Sequence, residues 1–253
     1  MPSIYLSPSA QQFNQYVTDG NSEEYYANLI ADAMIPYLNA TGISYTRNNP
    51  NDNLSQIIEQ SNSGNYDLHL ALHSNASPES LAGILRGADF YYYARSAEGR
   101  RAATVLADNY MSIYPDPSRV KIMPTVGLAE VVRTRAPSVL AELAYHDNTQ
   151  DATWLTSNID NIAKNLVQGL AEYFQIPFSE TNNDTYYRTG TVATQGGRLN
   201  VRNSPSMDGT VLGQIPNKAQ VRVYGRIGDW FVVDYNGLLG FSAARYINVI
   251  EPR

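Results

Sequence analysis

Apolar positions along the first two thirds of the chain switch repeatedly between strand and helix periods. Ile4 to Leu6 is a short apolar run, whereas Ala27, Ile30, Ala31, Met34 and Leu38 recur at helical spacing over residues 23–40. Glu23 and Glu24 fall in the first turn of that helix and Gly42 follows its end, as helix termini favour. Pro36 is expected to kink the helix near its end. The pattern then predicts a strand over 43–47, a helix around 54–61, a strand over 68–73, an extended run through 90–93 and a helix over 97–114. A buried strand at 138–145 and a helix at 159–174 close the segment. Such alternation predicts an α/β architecture, a mostly parallel sheet with helices on both faces.

After residue 176 the periodicity stops. Residues 177–187, PFSETNNDTYY, are poor in aliphatics and rich in Asn and Thr, as linkers are. Beyond them come short strand-like runs at 221–224 and 230–235, with the turn pair Asn236-Gly237 following the second. The chain therefore reads as residues 1–176, a linker over 177–187, and a small all-β barrel over 188–253. No tandem repeat appears, so each part occurs once.

Charge changes sign at the same place. Up to Glu180 there are 10 basic and 19 acidic residues, net −9, and from Thr181 onward 8 basic and 5 acidic, net +3. The whole chain carries −6 and a pI near 5.0, a poor match to the clustered Lys and Arg that hold nucleic acid. Only 17% of residues are charged, and Asn, Ser, Thr, Gln and 19 tyrosines must cover much of the surface. Neutral polar partners such as glycans suit that surface. The absence of cysteine excludes disulfides, thiol nucleophiles and Cys-ligated metals. No stretch approaches the apolar length of a membrane span, and the first residues, MPSIYLSPSAQQFNQ, lack the pattern of a signal peptide.

Few residues can carry chemistry. In LHLALHSNA the strand period puts Leu68, Leu70 and Leu72 on one face and His69, Ala71 and His73 on the other. Four residues of strand span roughly 13 Å, so His69 and His73 should not chelate one metal. His73 stands at the carboxyl end of its strand, where α/β sheets bind ligands; the alternative is a pair of ordinary half-buried histidines. Glu142 lies in the apolar strand VLAELAY, where a lone carboxylate must be paired, protonated or metal-bound. Glu24 has a simpler explanation as one of two acidic residues compensating a helix dipole. His146, four residues past Glu142, is either a ligand or a loop histidine capping a helix that begins near Asn148.

Three blocks in order resemble the zinc-dependent N-acetylmuramoyl-L-alanine amidases of bacterial peptidoglycan. They are E-x-x-x-N-L at Glu24, Asn28 and Leu29, H-x-N-A at His73, Asn75 and Ala76, and P-x-V-L-x-E at Pro137 to Glu142. The resemblance runs over about residues 2–176. It implies one zinc ion held by Glu24 and His73, Glu142 as the acid/base that activates a water, and Asn75 beside the substrate. The bond cut would be the amide between the lactyl group of N-acetylmuramic acid and the L-Ala of the stem peptide. The family's first zinc ligand is a histidine in the loop after the first strand, and here Phe13 aligns with it; His146 is the candidate substitute. In the second part, L-N-V-R-x-S-P-S at Leu199 to Ser206, with Trp230 and G-L-L-G-F at Gly237, resembles the bacterial SH3 domain. That likeness implies a wall-targeting module in which Trp230 contacts the ligand, the alternative for Trp230 being a place in the barrel core. Together these features imply a wall hydrolase acting outside the cell on peptidoglycan or muropeptides, released by a phage-type route or trimmed of its signal. The rival reading is a wall-binding protein with a degenerate amidase site.

Overall fold

A computed structural model describes residues 1–180 and 188–249. Residues 181–187, most of the expected linker, lie outside the described residues. The chain divides into two compact units, Met1–Glu180 and Thr181–Arg253.

The first unit is built on a six-stranded sheet of β1 (Ser3–Pro8), β2 (Ser44–Arg47), β3 (Leu68–Asn75), β4 (Ala88–Tyr93), β5 (Val120–Thr125) and β6 (Ser138–Tyr145), in the order β2-β1-β3-β6-β4-β5. Every pairing is parallel except β4 with β6. Helices cover both faces, as the alternation predicted. Helix α1 (Glu23–Thr41) starts where the Ser22 hydroxyl accepts from the Tyr25 amide, and it ends at Gly42, whose left-handed φ of 76° costs a glycine little. Pro36 lies inside α1, which continues to Thr41. Helices α3 (Ala97–Met111) and α6 (Ile159–Phe174) pack with α1 over the face formed by residues such as Leu70, Phe90 and Leu143. Those three side chains are at most 1% exposed.

The other face is more polar, and it carries the candidate chemistry. In register along it lie Ser7 opposite Ala71, Ala71 opposite Leu140, and His73 opposite Glu142. Two short helices flank it. Helix α2 (Leu54–Ser63) is opened by a capping box between Asn53 and Gln56. The single turn α4 (Ala129–Val132) presses Val131 onto Ala71 and Leu140. Helix α5 (Thr149–Ser157), capped by Asn148, follows β6.

The second unit is an antiparallel seven-stranded sheet of β7 (Arg188–Val192), β8 (Leu199–Arg202), β9 (Val211–Ile215), β10 (Gln220–Ile227), β11 (Trp230–Tyr235), β12 (Leu238–Ala243) and β13 (Ile247–Val249). Its core is built from alternate residues such as Val201, Val223, Phe231 and Val233. Asn236 and Gly237 join β11 to β12 with φ of 54° and 85°, the positive pair a two-residue hairpin turn requires.

Candidate active site

Near the end of β3, His73 meets two buried carboxylates. His73 Nδ1 lies 2.7 Å from Glu23 Oε1, and its Nε2 lies 3.6 Å from Glu130 Oε2. Glu23 is 1% exposed and Glu130 5%, so both carboxylates need partners. Glu23 Oε2 accepts from Asn14 Nδ2 at 2.7 Å. Glu130 Oε1 accepts from the Ser7 hydroxyl and, at 3.0 Å, from His69 Nε2. His69 is completed by the Ser61 hydroxyl, 2.9 Å from its Nδ1. The two histidines of β3 thus share a carboxylate on their common face.

Electrostatics follow from this packing. Burial disfavours a charge on His73, but its contacts with Glu130 and Glu23 outweigh that and raise its pKa well above the ordinary histidine value. Burial pushes the other way on Glu23 and Glu130, and their hydrogen bonds to histidine overcome it, holding Glu23 below and Glu130 far below the usual carboxylate range. Glu142 is the exception. Burial pushes its carboxyl up to about 7, with Glu23 and Asp89 adding to the rise and His73 opposing it. Although the side chain is partly exposed, Oε2 is shut off from solvent and has no hydrogen-bond partner.

The other sequence candidates fall in different places. Glu24, next to Glu23 in the first turn of α1, is half-buried with its carboxyl raised by burial; the glutamate bonded to His73 is Glu23. Asn75 Nδ2 donates to Asp89 at 3.3 Å, and Asp89 stands opposite Glu142 across β4 and β6. His146 is 5% exposed, with Nδ1 3.0 Å from both the hydroxyl and the carbonyl oxygen of Ser74 and its ring against Tyr16. Asn148, not His146, caps the helix that follows. Phe13 is 77% exposed. Glu130 and His69, central to the cluster, were not singled out as site residues by sequence. In the second unit Trp230 is half-buried and borders a cavity of about 420 Å³ together with Arg198, Met207 and Tyr246.

The donor set does not fit a three-ligand catalytic zinc, which takes three protein donors and leaves one open position. Glu23 and His73 supply two. They are hydrogen-bonded to each other, and the neighbouring positions hold carboxamides, with Gln11 Nε2 3.3 Å from His73 Nδ1 and Asn14 on Gln11 Oε1 and Glu23. Among the described residues no group of three or more His, Cys, Asp or Glu is arranged to hold a metal ion.

Comparisons with known proteins agree with the architecture. A family model described as N-acetylmuramoyl-L-alanine amidase matches residues 10–172, and one described as bacterial SH3 domain matches residues 197–248. Among solved structures, the chain is similar to the N-acetylmuramoyl-L-alanine amidase AmiC2 of Nostoc punctiforme, at 16% identity and a TM-score of 0.61 over 69% of this chain and 97% of that one. It is also similar to Ami1 from Mycobacterium smegmatis, at 17% identity and a TM-score of 0.60 over 69% and 97%. The catalytic domain of the CD27L endolysin targeting Clostridia Difficile gives 23% identity and a TM-score of 0.57 over 68% and 98%. A search of curated proteins found no match. With the larger model spanning more than half of its residues, the chain belongs to the N-acetylmuramoyl-L-alanine amidase family and carries a bacterial SH3 domain after the amidase unit.

Proposed function

We propose that the first unit hydrolyses the amide between the lactyl group of N-acetylmuramic acid and the L-Ala of the stem peptide, with Glu142 as acid/base. The observation that carries this reading is the state of Glu142: a carboxyl with a solvent-shielded, unpartnered Oε2 and a pKa near 7, facing the His73 cluster. A group that titrates near the working pH both accepts and returns a proton efficiently. The Glu142 carboxyl, partly exposed as a side chain, would take a proton from water as the water oxygen bonds to the carbonyl carbon. It would then pass that proton to the stem-peptide nitrogen as the C–N bond breaks. Asn75, through Asp89, borders the same place. The barrel would hold the enzyme on peptidoglycan outside the cell, with Trp230 at its cavity as the ligand contact.

Zinc, one ion, is what the family likeness implies. Glu23 and His73 are the donors the chain offers, and Phe13 and the carboxamides of Gln11 and Asn14 favour a second reading, a protein that binds muropeptides without cutting them. One experiment separates the two. Purified protein is incubated with sacculi, new N-terminal L-Ala is measured, and bound zinc is counted. The hydrolase reading expects release of stem peptides and a loss of orders of magnitude in Glu142→Gln, which removes a proton carrier and little volume. Sacculus binding with no release, together with zinc binding and release gained in Phe13→His, establishes the binding reading.

A further inference from the structure

We infer that Glu130 is a positioning residue for the site, a buried carboxylate that fixes the ring of His73 so that its Nδ1 edge meets Glu23. The imidazole of His73 has a carboxylate near each nitrogen, Glu23 Oε1 hydrogen-bonded to Nδ1 at 2.7 Å and Glu130 Oε2 in ion-pair range of Nε2 at 3.6 Å. A half-turn of the ring would put carbon atoms in place of the donor that Glu23 bonds and of the nitrogen that Glu130 faces. With Glu130 absent, only Glu23 and Gln11 would hold the ring, both at the same edge.

Glu130 is itself held on three sides. Its Oε1 accepts from Ser7 on β1 and from His69 on β3. His69 is fixed by Ser61 of α2 at 2.9 Å and by stacking on Tyr5 with ring centroids 5.2 Å apart. Tyr5 in turn donates to Gln60 of α2 at 2.9 Å. The turn carrying Glu130 is anchored to the sheet by Val131, whose carbonyl accepts from Ser138 Oγ at 2.6 Å. The rigid path therefore runs from α2 through His69 and Glu130 to His73, and it stops at the face that carries Glu142. A carboxylate buried solely for stability would be a poor choice, since an apolar side chain of similar volume fills such a space at no desolvation cost. Histidines at functional sites commonly owe their orientation to a carboxylate on the ring nitrogen that faces away from the chemistry.

The test is nitrogen NMR of the full chain labelled at histidine, comparing the parent with Glu130→Gln, which keeps shape and removes charge. The inference expects the His73 ring nitrogens to move, with Nε2 losing its carboxylate partner, while the thermal transition remains cooperative. Its kinetic arm rests on the amidase reading: kcat on a soluble muropeptide falls about 10- to 100-fold with KM unchanged. A folded Glu130→Gln whose His73 ring signals coincide with those of the parent overturns the inference. Should Glu130→Gln not fold, His69→Phe keeps the stack on Tyr5 and removes one donor from Glu130. The His73 Nε2 signal should then shift as Glu130 turns more fully to His73, and an unmoved signal overturns the inference. The ring signals are read without substrate, so a parent that cuts nothing defeats the amidase reading and leaves this measurement decisive.

Discussion

A carboxyl that ionises near neutrality inside a fold makes stability depend on pH, and Glu142 is such a group. Its pKa rises from 4.5 to about 7 on folding, so between those values the folded state keeps a proton that the unfolded state has released. Stability therefore falls as pH rises through that window, and above about 7 the full cost is present. At roughly 1.4 kcal/mol per unit, reduced for the partly exposed position, the cost is on the order of 2 kcal/mol. Relative to the parent, Glu142→Gln should gain stability between pH 5 and pH 8, measured by urea unfolding; a difference constant over that range would contradict the buried, ionisable state of Glu142. Glu142 and His73 were legible in the sequence because a lone carboxylate in an apolar strand and a histidine at a strand end both demand explanation. That Glu23, the neighbour of Glu24, is the glutamate bonded to His73 was not legible. Adjacent residues in a helical turn point about 100° apart, and Asn14, beside Phe13 in the loop after β1, is bonded to Glu23. Glu130 sits in a four-residue turn too short to show periodicity. The signal that could have found it was His69, a buried-face histidine that needs a polar partner.

At the scale of elements, Asp151 joins pieces that the sequence leaves apart. Its carboxylate is fully buried and accepts from Arg86 Nε at 3.0 Å, Tyr114 Oη at 2.6 Å, the Gly87 amide at 2.9 Å and the Tyr145 amide at 3.1 Å. It thereby ties α5 to the end of β6, to the segment entering β4 and to the segment after α3. Asp151→Ala would leave four donors unpaired, one of them a cation, and should cost about 3 kcal/mol or more. Urea unfolding measures the loss, and amide exchange should quicken first around residues 84–87. An unchanged midpoint would mean these contacts are dispensable. Long periodic elements were readable: the strand at 138–145 and the helix at 159–174 were expected with the bounds observed. Strand β5 was not, because Lys121 and Pro124 break its apolar pattern, and an edge strand tolerates such residues. Helix α5 was expected only by its start near Asn148, since it has nine residues and buries three of them. The reversed direction of β4 has no counterpart in local sequence, since parallel and antiparallel strands draw on the same residue types.

For the whole molecule, the two units differ in composition, architecture and charge, and each has its own core. A second module that grips the same polymer raises the local concentration of the first without adding any contact to the reacting bond. The barrel should therefore change retention and leave chemistry alone. A chain ending at Glu180 keeps every residue of the Glu23, His73, Glu130 and Glu142 cluster, so on small soluble muropeptides its kcat/KM should match that of the full chain. On intact sacculi, where each dissociation must be followed by a new encounter, it should sediment with the wall at least about tenfold less well. Trp230→Ala in the full chain should reproduce part of that loss if the cavity beside it takes the ligand, again with soluble substrate turned over at the parent rate. Equal sacculus binding with and without residues 181–253 would refute the targeting role. A truncated chain slowed equally on soluble and insoluble substrate would instead show that the barrel supports the amidase unit itself.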